Sequence, residues 1–103
     1  MLQERLTAEC QNFDANKLKK QAGVWLRSKR EQLGLSQREL ARRVQIDYYT
    51  FISQIEAGRG RVPADRLQIW AEALEVEPSA FAKKLMGFYD PHTYDMIFGD
   101  QKE

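Results

Sequence analysis

Three polar side chains, Thr50, Ser53 and Gln54, fall at helical spacing around the apolar pair Ile52 and Ile55. At about 100° per residue the two isoleucines define an inward direction. Thr50, Ser53, Gln54 and Ala57 then occupy the opposite face, with Tyr49 at its leading edge. The chemistry open to them is hydrogen bonding to the edge of a base pair. The Gln54 amide can donate to and accept from adenine at once, while Thr50 offers a hydroxyl to a base edge and a methyl to thymine. Tyr49 can pack on a sugar or a thymine methyl, or hydrogen-bond a phosphate. One good base contact contributes about 1–3 kcal/mol of discrimination. The adjacent Tyr48 and Phe51 are expected to pack toward the core.

Base edges are reached only past phosphates, and the cations are distributed accordingly. Residues 16–66 hold twelve bases against five acids, whereas residues 1–15 and 67–103 are net acidic, so the overall charge of +1 hides a basic middle. Arg59 and Arg61 stand beside Gly58 and Gly60, whose conformational freedom lets a loop approach a duplex backbone closely. Both arginines are read as phosphate clamps, with Arg38, Arg42 and Arg43 as further phosphate contacts and Lys29 at the periphery. Chemistry of other kinds is excluded. His92 is the only histidine and Cys10 the only cysteine, too few for a zinc site, a disulfide or a Ser/His/Asp set. No glycine-rich phosphate cradle is present. The expectation is a non-enzyme without cofactor or metal.

Five helices and no strand are expected. The first runs from Ala15 to Gln32, capped by Asp14 or Asn16, with Ala22 and Leu26 inward and Gly34 as its stop. Ser36 opens the second helix, and Glu39 three residues on completes a capping box. The third helix, about 48–57, takes Asp47 as its N-cap and ends at Gly58. The fourth spans about Ala64 to Glu75, with Leu67, Trp70, Ala71 and Leu74 at core spacing. The fifth starts at Pro78, a residue suited to a first helical turn, and carries Phe81, Leu85, Phe88 and Tyr89. An apolar fraction of 43% suffices for one small core. The chain divides into an N-terminal extension, 1–15, a helical domain, 16–87, and a C-terminal aromatic extension, 88–103.

Taken in order, these residues resemble the Cro/CI-type (XRE) helix-turn-helix family of bacterial and phage repressors. The resemblance runs from Leu26 to about Val76. It includes Leu33-Gly34-Leu35-Ser36-Gln37-x-x-Leu40-Ala41, then Ile52-Ser53-Gln54-Ile55-Glu56-x-Gly58, then Leu67-x-x-Trp70-Ala71-x-x-Leu74-x-Val76. It implies an all-α, five-helix, lambda-repressor-like domain whose helix-turn-helix covers about 36–58. It also implies that Gln37 touches a phosphate and buttresses the recognition helix, and that Arg30 and Glu56 form a structural ion pair. The start of a helix, with its free N–H groups, is a sound place for an anionic oxygen. Two departures stand out. Gln45 occupies a turn position where the family commonly has glycine, and Ala41 to Ile52 is one residue longer than usual.

The reading is therefore a sequence-specific regulator of transcription that binds double-stranded DNA, with the third helix in the major groove. It is expected to be soluble and cytoplasmic, since no apolar run has the length of a membrane span. No small-molecule ligand is expected. One domain of this size covers a half-site, so a homodimer is expected, with the 88–103 tail and fifth helix contributing to self-association or simply capping the core. The alternative is an antitoxin-like or adaptor protein whose scaffold docks a regulatory protein partner, with the acidic C-terminal third as the docking surface.

Overall fold

The computed structural model describes residues 14–99. Within them the chain forms six α-helices and one 3-10 turn, with no strand among the described residues. The helices are α1 (Ala15–Gln32), α2 (Gln37–Arg43), α3 (Thr50–Glu56), α4 (Leu67–Ala73), α5 (Pro78–Tyr89) and α6 (Pro91–Phe98). The 3-10 turn, Ala64–Arg66, leads into α4, so the expected fourth helix is split at its start. None of these helices is long and apolar enough to cross a membrane.

Local chemistry sets most boundaries. The Asp14 carboxylate accepts from the Asn16 and Lys17 amides and so starts α1. The Ser36 hydroxyl accepts from the Glu39 amide while the Glu39 carboxylate accepts from the Ser36 amide, closing the capping box of α2. Those bonds hold the Glu39 carboxyl below the usual carboxylate range. Glu77 caps α5 through the Ala80 amide, with Pro78 in the first turn. Helices α1 to α4 share one ending. In each, the amide two residues past the C-cap reaches back to a carbonyl five residues earlier: Leu35 to Arg30, Ile46 to Ala41, Arg59 to Gln54 and Val76 to Ala71. This ending puts one residue in the left-handed region, with Gly34 and Gly58 in α1 and α3 but Gln45 (φ 61°) and Glu75 (φ 60°) in α2 and α4. The turn thus keeps at Gln45 a conformation that glycine adopts without steric cost.

Leu26, Leu40, Ile52, Trp70, Phe81 and Leu85 form the centre of the core. Helix α1 runs across it, packing against α3 and α5, while α2 packs against α3 and α4. Trp70 is wholly buried, and its indole N–H has no acceptor among the described residues. The hydrophobic core bears that loss through the ring's large buried area.

Three expectations around the α2–α3 turn are corrected. Helix α3 spans seven residues, 50–56, rather than about 48–57, and its N-cap is Tyr49, without a side-chain cap bond, rather than Asp47. Tyr48 is 68% exposed and Phe51 54% exposed, so neither packs into the core. The cause is the extra residue before Ile52. The Ile46 amide is drawn back to Ala41, and the chain needs residues 47–49 to turn before Ile52 can reach the core. A fourth correction concerns the tail: residues 91–98 form a helix of their own, α6, packed on α5.

Candidate nucleic-acid interface

Burial of Ile52 and Ile55 fixes the rotation of α3 and turns its other side outward. Thr50 and Gln54 are exposed on that side, one turn apart. Ser53 is half-buried, and its hydroxyl donates to the Thr50 carbonyl at 2.9 Å. Its oxygen remains an acceptor, so Ser53 can receive a hydrogen bond but has spent its own proton within the helix. Tyr49 is exposed at the entry to α3, with the Arg38 guanidinium 4.6 Å from its ring centroid. That stacking ties the outer face of α2 to the leading edge of α3 and leaves the arginine's charge at the surface.

Behind this face lies a buried polar junction. The Arg30 Nε and Nη2 donate to the two Glu56 carboxylate oxygens at 2.7 and 3.0 Å, while Nη1 donates to the Leu35 carbonyl at 2.7 Å. Gln37 Nε2 donates to Glu56 Oε1 at 3.0 Å. One carboxylate thus joins α1, the first turn of α2 and the last turn of α3. The Glu56 hydrogen bonds push the Arg30 pKa above its already high ordinary value, despite the opposing effect of burial. Gln37 keeps one amide hydrogen and its carbonyl oxygen for a further partner.

Two glycines let the backbones approach. A Cβ on Gly23, in the middle of α1, would collide with the Glu56 carbonyl and come within 2.8 Å of the Ile55 carbonyl. A Cβ on Gly58 would meet the Lys20 backbone, and its φ of 81° is left-handed as well. Gly23 escaped the sequence reading. Its only signal was a glycine inside an otherwise helical stretch, which marks a close approach without naming what approaches.

The arginines divide into two groups. Arg59 and Arg42 are exposed and have no ion-pair partner among the described residues. Arg61 turns away from α3: its Nη2 donates to the Asp90 carboxylate at 2.9 Å, and its guanidinium lies 4.5 Å from the Tyr89 ring centroid. The Tyr89 hydroxyl in turn accepts from the Val62 amide, and burial raises its pKa. Arg43 donates to the Ala73 carbonyl at the end of α4 at 3.0 Å and lies 3.8 Å from the Glu75 carboxylate. Both side chains are partly exposed but already occupied.

The helix-turn-helix family model matches residues 26–81, more than half of the chain. It spans the C-terminal part of α1 from Leu26 on, all of α2 to α4 and the start of α5. The exposed α3 face, the buried carboxylate behind it and the basic loop all fall within the match. No curated protein matches the chain.

Proposed function

We propose, because this chain belongs to the Cro/CI-type (XRE) helix-turn-helix family of DNA-binding domains, that it is a sequence-specific regulator of transcription acting as a homodimer. Helix α3 enters the major groove, where Thr50 and Gln54 read base edges, Ser53 accepts from a base donor and Tyr49 packs at the groove's edge. Gln37, Arg38, Arg42 and Arg59 hold phosphates on either side. Arg61 and Arg43 join them only by exchanging a carboxylate for a phosphate. The observation that carries this reading is the outward pairing of Thr50 with Gln54 on a helix anchored by two buried isoleucines.

No catalytic step and no cofactor enter this account: affinity comes from charge neutralisation and specificity from the groove. The salt dependence of binding tests it. Neutralising three phosphates per copy gives a slope of log K on log[salt] of about −3 for one copy and about −5 for the homodimer, and five per copy give about −4 to −5 and about −9. A flat slope with no preference among duplexes would favour the adaptor reading, in which the scaffold docks another protein.

A further inference from the structure

We propose that Phe51 is a further specificity-determining residue, which seats the 5-methyl group of a thymine at the hollow between α3 and the basic loop. The inference rests on the DNA-binding reading for its occupant, and on the following geometry for its location. Phe51 is 54% exposed on α3. Gln54 follows three residues later, about 60° away around the helix axis, so the ring and the amide are neighbours on the helix surface.

A single exposed phenylalanine needs no partner, but this one lines a hollow of ≈ 390 Å³. Ile46 and Pro63 extend its apolar lining, Gln54 borders it, and Arg59 and Arg66 contribute two guanidinium groups. Neither arginine has an ion-pair partner among the described residues, and no acidic side chain lines the hollow. An occupant that suits it brings an apolar group and an anion close together. A thymidine in a duplex carries both, since its methyl projects into the major groove and its phosphate lies on the strand beside it. The other three bases have no methyl there, so an apolar ring distinguishes thymine from each of them. Side chains three apart on a helix have Cβ atoms about 5–6 Å apart, which puts this methyl within about two base pairs of the adenine that Gln54 reads.

Replacing each thymine in turn by uracil, which lacks only that methyl, tests the proposal on the duplex recovered by site selection with the full chain. The wild type is expected to lose roughly fourfold in affinity per half-site at one such thymine, for one buried methyl. That thymine should lie in the stated interval from the position that Gln54→Ala relaxes. Phe51→Ala changes a surface side chain, so its helix content should stay unchanged, while its Kd should be the same for thymine and uracil at this position. Phe51→Leu keeps an apolar contact and should retain part of the preference. Thr50→Ala should retain it in full, which separates the ring from the Thr50 methyl. A half-site with no thymine in the interval, a wild type indifferent to uracil there, or a Phe51→Ala chain that still prefers thymine overturns the proposal. The two readings fail distinguishably. A selection that enriches no site sinks the regulator reading and this seat with it. An enriched site whose uracil scan is flat leaves the regulator reading standing and sinks the seat alone.

Discussion

The Arg30 guanidinium grips the Glu56 carboxylate through two hydrogen bonds across 26 residues of sequence, and both side chains are nearly buried. The pair fixes where α3 ends relative to α1, so the helix that faces outward is held from behind. Arg30→Ala leaves Glu56 buried with only Gln37 as a side-chain donor. Loss of one member of a buried pair costs about 3–5 kcal/mol. Thermal denaturation should show a correspondingly large fall in Tm, and DNA affinity measured well below that temperature should fall less. An unchanged Tm would remove the pair from any structural role.

Gly23→Ala is informative because two effects compete. In an ordinary exposed helix, alanine for glycine stabilises by about 0.5–1 kcal/mol. Here the added methyl meets the Glu56 carbonyl, and forcing apart packed backbones costs about 1–3 kcal/mol. Denaturant unfolding should therefore show net destabilisation, accompanied by weaker DNA binding because α3 is displaced. A more stable variant would mean that the two helices are not in contact at this point.

Gln45 sustains a left-handed backbone in the α2–α3 turn. Gln45→Gly should be neutral or stabilising by up to about 1 kcal/mol, since relief of the steric cost is partly offset by glycine's entropy in the unfolded chain. Gln45→Val should destabilise, because a β-branched residue is a strong outlier at positive φ. Urea midpoints in the opposite order would contradict this backbone conformation.

The two loop arginines should separate by experiment. Arg59→Ala should reduce the salt slope by about 1 per copy, about 2 for the homodimer, and leave stability unchanged, as expected for an exposed phosphate contact. Arg61→Ala should change stability modestly, because exposed ion pairs contribute roughly 0.2–1 kcal/mol, and should leave the salt slope nearly unchanged. Equal reductions in slope would show that Arg61 releases Asp90 when DNA is bound.

Much of this architecture is legible locally. The capping box of Ser36 and Glu39, the glycine stops at 34 and 58 and the proline that opens α5 each depend on a few neighbouring residues. So does the outward direction of Thr50 and Gln54, which Ile52 and Ile55 determine. What escaped the sequence reading depends on distant partners. The commitment of Arg61 to Asp90 spans 29 residues, and the close approach at Gly23 involves the backbone of α3. The exposure of Tyr48 and Phe51 has another cause. One extra residue before Ile52 delays the helix, and periodicity registers the isoleucines without registering where the helix begins. The Arg30–Glu56 pair came from family resemblance, because nothing in the spacing of the two residues alone brings them together.

Selection of bound sites from random duplexes, run in parallel on the wild type and on Gln54→Ala and Thr50→Ala, tests the central claim most directly. The account predicts one enriched motif for the wild type, with two-fold symmetry and half-site centres about 34 Å apart. Each variant should lose preference at a single position per half-site, at a cost of about 1–3 kcal/mol for the best site. No enriched motif, or one that both variants reproduce unchanged, would contradict it.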